Sequence, residues 1–380
     1  MPWTEATTVS LRAEFVRLAQ NEGANISELC KRFRISRKSG YKWLARFRSD
    51  GFDGLADRSR RPVSAPTRTP TKVEREVIRL RDQHPTWGGR KLRARLIALN
   101  KKSIPSPSTI TEILRRHDRM DPAAVSQGAF VRFERQRPNE LWQMDFKGHF
   151  ATATGNRCHP LTVLDDHSRF CVGLFACENE RTETVQTHLT SLFRLFGMPE
   201  RILCDNGSPW GTGGAETKWT RLTVWLLKLG IPVSHGRALH PQTQGKDERF
   251  HRTLNVELIQ GQGWPDLGIC QGRFDPWRHV YNYERPHESL GMEVPATRYR
   301  VSPRAFPEIL TDWEYDSTDA VRKVSIDATI SYRGKVLALS KAFCGERVAV
   351  RATQADGKLK VFFGVHEIAD FDERKQNRVE

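Results

Sequence analysis

The sequence predicts a multidomain chain in three parts: an all-α N-terminal region, an α/β core and a small all-β C-terminal domain. Three observations carry this. Helical apolar spacing dominates residues 9–118, strand-like and helical runs alternate from Pro138 onward, and short alternating runs with turn signals fill 320–370. At 380 residues the chain has length for roughly two to four domains. Its 38% hydrophobic and 28% charged content is that of a globular protein. No apolar run approaches ~18 residues and the first thirty have no signal-peptide core, so no membrane partner is expected.

Residues 9–50 read as three helices. Leu11, Phe15 and Leu18 space the first, Ser27 opens a short second, and Ser36 opens a third with Tyr41, Leu44 and Phe47 on one face. Two short helices joined by a tight turn have the form of a helix-turn-helix, whose second helix would enter a DNA major groove. That helix carries Arg37, Lys38, Lys42 and Arg46, the candidate DNA contacts. The domain spans 1–56. An extended linker follows at 57–71, where Arg58, Arg60 and Arg61 stand among Pro and Ser and could track phosphates. A second helix-turn-helix unit occupies 72–120, with Ser106 capping its last helix, and a further linker covers 121–137.

In the core, 138–300, strands are expected at 141–149, 161–165, 170–176, 201–205 and 231–235. Helices are expected at 182–196, 215–229, 243–259 and about 272–284. Asp165-Asp166-His167-Ser168 reads as a turn, making the first three strands an antiparallel meander. After a linker at 301–319, residues 320–380 carry short strands and an Asp356-Gly357 hairpin signal, which fits a small β-barrel of SH3-like form.

The net charge is +16, and it is unevenly spread. Residues 1–137 hold 30 Lys+Arg against 14 Asp+Glu, and residues 138–380 hold 31 of each. A basic first third on a neutral remainder is the footprint of a polyanion binder, most often of nucleic acid. Seven scattered cysteines without a Cys-x-x-Cys point away from a disulfide framework and toward a reduced, cytoplasmic chain.

Three acids stand out by context. Asp145 lies mid-strand in Leu-Trp-Gln-Met-Asp-Phe-Lys-Gly, with Gln143 and Lys147 on its face. Asp205 ends an apolar run in Arg-Ile-Leu-Cys-Asp-Asn-Gly-Ser, and Glu248 lies early in a helix entered by His-Pro-Gln-Thr-Gln-Gly-Lys-Asp-Glu-Arg-Phe. Singly, these read as an edge-strand residue, a turn former and half of an exposed pair with Arg252. Jointly, they are carboxylates from distant points in the chain, which suit a hard divalent cation such as Mg²⁺. Two such ions can clamp the oxygens of an in-line phosphoryl displacement. Gln244 and Lys246, at the entry of that helix, are placed to touch a DNA backbone. His149, His240 and His251 lie nearby in sequence, with solvent exposure the plainer account of each.

The same three runs resemble the integrase core of DDE transposases, above all those of bacterial insertion sequences related to retroviral integrases. The resemblance covers nearly the whole chain and implies an RNase H-like fold over 138–300. It implies that Asp145, Asp205 and Glu248 are the catalytic triad and hold two Mg²⁺, with Mn²⁺ as substitute. Asp247 is a rival for the third place, but the family's Gln-Gly-x-x-Glu pattern selects Glu248. The expected partners are terminal inverted repeats and target DNA, with a homo-oligomer, dimer or higher, assembled on them at the bacterial nucleoid. Between Asp205 and Glu248 lie 42 residues, more than the retroviral branch uses, the excess falling in the Gly-rich run 210–215. The alternative is a catalytically silent DNA-binding regulator derived from such an enzyme.

Overall fold

The computed structural model describes residues 7–58, 69–120, 134–211, 219–235, 245–354 and 357–372. Arg60, Arg61, Gln244, His240, Asp356 and most of the Gly-rich run after Asp205 lie outside the described residues. The chain divides into two compact units, 1–68 and 69–380.

The first unit is three helices, α1 (Thr8–Ala19), α2 (Ile26–Arg32) and α3 (Arg37–Asp50), followed by a 3₁₀ turn. Ser36 caps α3 by accepting from the Ser39 N–H, as the sequence suggests, whereas α2 is capped by Asn25 and not by Ser27. The buried face of α3 also differs from expectation. Gly40, Trp43 and Leu44 point inward and Tyr41 is exposed, while in α1 Phe15 and Val16 are buried and Leu11 is not. The reason is Gly40. A Cβ there would stand 2.6 Å from Cys30 Sγ, so only glycine lets α3 lie this close to α2.

The second unit opens with α4 (Thr71–Gln83), α5 (Gly89–Ala98) and α6 (Pro107–Arg116), whose cluster holds Val77, Leu80, Trp87, Leu92, Leu96, Ile110, Ile113 and Leu114. Then comes the sheet: β1 (Trp142–Phe146), β2 (Phe150–Ala151), β3 (Arg157–Asp165) and β4 (Cys171–Cys177), then α7 (Thr182–Phe196), β5 (Ile202–Cys204), α8 (Arg221–Lys228) and β6 (Val233–His235). Helix α9 (Gly245–Leu254) runs into a π turn at Asn255–Ile259, and α10 (Leu267–Tyr283) closes the core. The spatial order is β4-β3-β1-β5-β6, with β2 a short addition on β3. Strands β1, β3 and β4 pair antiparallel, the expected meander, and β1, β5 and β6 run parallel.

Alternation along the strands decides what each face meets. Trp142, Met144, Leu161 and Val163 pack toward α7 and α8, while Leu164, Cys171 and Leu174 pack with Phe250 and Leu254 of α9 and with α10. Fully burying one such large apolar side chain stabilises by roughly 1.5–3 kcal/mol. Gln143 and Asp145, the odd-numbered partners on β1, therefore share the face that meets α9. That single parity places the first acid beneath the helix that carries the third.

The stretch expected as a linker at 301–319 is tied to the core around Arg304. Met198 N–H donates to the Arg304 carbonyl at 2.7 Å, and the Arg304 guanidinium donates to the carbonyls of Leu229 and Gly230 at 3.2 and 3.1 Å. The C-terminal part is all-β, as predicted. It consists of β7 (Ala320–Lys323), the β8–β9 hairpin (Thr329–Tyr332, Lys335–Ala338), β10 (Arg347–Ala352), β11 (Lys358–Phe363) and β12 (His366–Asp372). These make a four-stranded antiparallel sheet, β12-β11-β10-β7, and the two-stranded hairpin, sharing a core with Val224 and Leu227 of α8.

Candidate active site

Strands β1 and β5 are paired through Trp142↔Ile202 and Gln143↔Leu203. Two residues further along each strand stand Asp145 and Asp205. Neighbouring strands lie about 4.8 Å apart, so parallel register alone sets the two acids side by side at the strands' C-terminal ends. Their proximity has an electrostatic signature: burial and the negative charge of Asp205 push the Asp145 carboxyl up to about 7. Asp205 turns the chain as its Asp-Asn-Gly sequence suggests, Oδ1 accepting from the Gly207 N–H at 3.0 Å.

Helix α9 is fixed over this pair at two points. Lys246 Nζ meets Asp166 Oδ1 at 2.5 Å, and His251 Nε2 lies 2.8 Å from Thr162 Oγ1. Thr162, directly opposite Asp145 on β3, donates in turn to the Asp145 carbonyl at 2.9 Å. His251 Nδ1 approaches Asp145 Oδ2 to 3.9 Å, yet this is no ion pair. Burial, aided by the Lys147 charge, pushes the imidazole down to about 4, so the ring is neutral. Glu248 lies between the two anchors on the exposed side of the first turn.

Asp247 is the buried neighbour, its Oδ1 without a hydrogen-bond partner among the described residues. Burial, and then the charges of Asp145 and Asp166, drive its carboxyl well above the usual range. Among the described residues no three His, Cys, Asp or Glu side chains are arranged to hold one metal ion. Asp145 and Asp205 are brought together, and Glu248, on α9, is exposed to solvent.

Two expectations change here. Lys246 was expected to face a DNA backbone, but its ammonium is turned into the protein and spent on Asp166. Asp165 and Asp166 do form the turn, but they are fully buried organisers too. Asp165 accepts from the N–H groups of Asn139 and Ser168, and Asp166 from Arg135 N–H and Gln143 Nε2. Thr162 was not singled out in the sequence, and Gln143 was placed on the face of Asp145 without its bond to Asp166. A glutamine between Trp142 and Met144, in the buried half of β1, was the available signal. In the first unit Arg37, Lys38, Tyr41 and Lys42 form an exposed face of α3. Lys42, Arg46 and Arg12 all stand over the Trp43 ring, at 4.7, 5.0 and 3.9 Å from its centroid. Arg58 pairs with Asp50 at the surface.

The chain matches known families along most of its length. A helix-turn-helix domain matches residues 11–62 and a homeodomain-like domain 39–114. The integrase core domain matches 135–241, with a second integrase core model over 229–295, and the C-terminal domain of IS481 family transposases matches 319–379. The insertion element IS476 uncharacterized 39.2 kDa protein of Xanthomonas euvesicatoria is 26% identical over 281 residues, covering 72% of this chain and 78% of that protein. The insertion element IS407 uncharacterized 31.7 kDa protein of Burkholderia multivorans is 28% identical over 179 residues, 46% of this chain and 62% of that one. Among solved structures, the simian T-cell lymphotropic virus intasome in complex with the PP2A regulatory subunit B56 gamma is similar at 15% identity and a TM-score of 0.39, covering 78% of this chain and 94% of that chain.

Helix-turn-helix units ahead of an integrase core define a polynucleotidyl transferase of the transposase and integrase class. The integrase core, the IS481-type C-terminal domain and the insertion-element relatives together support a DDE transposase with an integrase-like core.

Proposed function

We propose that this transposase binds the terminal inverted repeats of an insertion sequence and catalyses 3′-end cleavage and strand transfer into target DNA. Asp145, Asp205 and Glu248 are its catalytic acids and the ligands of two divalent ions, Mg²⁺ with Mn²⁺ as substitute. The observation that carries the reading is the Asp145–Asp205 pair: two acids on neighbouring parallel strands, one pushed up to about 7 by burial and by the other. Keeping like charges together is unfavourable unless a cation shares them, and the donors are all oxygen, as a hard ion prefers.

When bound, the ions would supply charge stabilisation for the attacking and leaving oxygens of an in-line displacement. The protein's part is geometric. Strands β1 and β5 hold two carboxylates in parallel register, while Lys246–Asp166 and His251–Thr162 fix α9, the helix that carries Glu248, to the sheet. Water is the first nucleophile and the freed 3′-hydroxyl the second, so no side chain forms a covalent intermediate. The exposed basic face of α3 and the second helical unit read the DNA ends, and the active assembly is a dimer or higher on DNA in the bacterial cytoplasm.

Asp145→Asn, Asp205→Asn and Glu248→Gln should each lower cleavage and joining of labelled end duplexes by about 10²–10³-fold or more, as loss of one charge-stabilising group does. DNA binding should be spared. Asp247→Asn is the control, since Asp247 is the buried neighbour of Glu248 and its carboxyl is driven upward by burial. A triad variant that joins ends at nearly the wild-type rate, or an inactive Asp247→Asn, would overturn the assignment.

A further inference from the structure

The helical unit at 69–120 is held against the core on a built face. Arg95 of α5 pairs with Glu284 at the end of α10, their side chains only 19% and 29% exposed. Arg90 reaches Glu288 at 3.9 Å, and Val280 of α10 packs onto the unit's apolar cluster. The decisive residue is Glu257. Its Oε1 accepts from Thr86 Oγ1 at 3.1 Å, just ahead of α5, and its two oxygens take Arg285 Nε at 2.9 and 3.2 Å. Glu257 and Arg285 are 11% and 10% exposed.

Glu257 belongs to the π turn that continues α9, the helix of Glu248. One shielded carboxylate thus ties together the entry of α5, the exit of α10 and the far end of the helix bearing the third acid. Meanwhile Arg116 of α6 pairs with Glu74 of α4, Arg115 pairs with Glu112 of the same helix, and Ser108, Thr109, Glu112 and Arg115 are exposed. Helix α6 thus keeps an exposed face and makes none of the polar contacts to the core named above, which run through Thr86 and α5.

We propose that Glu257, Arg285 and Thr86, with the Arg95–Glu284 pair, form a positioning joint. It fixes the distance between the sequence read by α6 and the phosphodiester presented to Asp145, Asp205 and Glu248. The proposal rests on the transposase reading and assigns specificity of cut position to residues that touch neither DNA nor metal. A reader on a loose tether would let the cut wander; a reader sharing an ion-paired, largely dehydrated contact with α9 and α10 does not. Partners left alone in such a contact are strongly unfavourable, so the joint has few alternative arrangements.

The test uses the full chain as wild type, Arg95→Glu, Glu284→Arg and the double swap, on a labelled duplex from the DNA flanking the coding sequence. Hydroxyl-radical footprints and cut positions are read on the same complexes, with melting curves to verify folding. Each single reversal should keep the α3 and α6 footprints but blur core protection at its fixed offset. It should also lower cutting at the wild-type bond by about 10- to 100-fold, the cost of roughly 1 Å of misplacement, with new cuts at neighbouring bonds. The swap should restore both readouts. Folded single variants with unchanged core protection and a single wild-type cut would overturn the joint, as would a folded swap no better than its worse parent. If wild type itself makes no cut, the transposase reading fails, and the footprints alone still decide for or against the joint.

Discussion

Lys91 on α5 carries an ammonium that burial, and then the nearby Arg285 charge, bring down to about 8 from an ordinary 10.5, with Glu257 and Glu288 opposing. Between those two values the unfolded chain binds more protons than the folded one, so this residue makes stability rise with pH through that window. Below about 8 both states are protonated and the full desolvation cost is present. Lys91→Met keeps the stem and removes the charge, so it should stabilise at pH 7 by the order of 1–3 kcal/mol, with the gain shrinking toward pH 10. Melting of variant and wild type across pH 7–10 checks this; a gain independent of pH would refute it. At this scale the sequence reveals groups whose chemistry is local and hides those whose partners are remote. Asp145 and Asp205 were legible because strand position and turn chemistry fix them. The inward turn of Lys246 was not, because Asp166 lies 80 residues away and nothing in the helix entry says which acid it will meet. His251 likewise reads as a solvent histidine until β3 brings Thr162 against it.

Helices and strands were mostly readable because each buries one periodic face, and the misreadings have contact-level causes. Tyr41, Leu44 and Phe47 satisfy helical spacing, but Gly40 against Cys30 rotates the buried stripe to 40, 43 and 44. The stripe of α9 continues past Leu254 into a π turn, so Ile259 is buried where a regular helix would point Leu258. Strands β7 and β12 are edge strands of the C-terminal sheet, half-exposed along most of their length, and edge strands carry weak alternation. Gly89 opens α5 where a Cβ would stand 2.4 Å from the Pro107 carbonyl and 2.7 Å from Thr111 Oγ1. Backbone cannot yield as a side-chain tip can. Gly89→Ala should therefore destabilise the α4–α6 unit by about 1–3 kcal/mol despite alanine's better helix propensity, pushing α6 off α5. Gly88→Ala, with open space around its Cβ, is the matched control, and a melting midpoint unchanged in Gly89→Ala would contradict the close approach.

Across the whole molecule, charge and chemistry are segregated. The excess of +16 lies in residues 1–137, while the acids of the candidate site stand in a neutral remainder. No described helix is long and apolar enough to cross a membrane. Separately, a basic third on a neutral remainder has a polyanion as its natural counterpart. Phosphate neutralisation releases condensed counterions, which makes affinity fall steeply with salt: six to ten contacts lose about 10³–10⁵ between 50 and 200 mM. DNA affinity of the full chain measured against salt should show such a slope. Lys42→Ala and Arg46→Ala should each weaken binding and flatten the slope by about one unit, being phosphate or groove contacts on or beside the exposed face of α3. Asp145→Asn should leave the slope alone, because it removes charge from the core and not from the reader. Stacking of Lys42 and Arg46 over Trp43 holds both cations at one edge of α3, so their effects should fall short of additive. A slope insensitive to Lys42 and Arg46 but altered by Asp145→Asn would move the DNA-binding surface from the helix-turn-helix to the core.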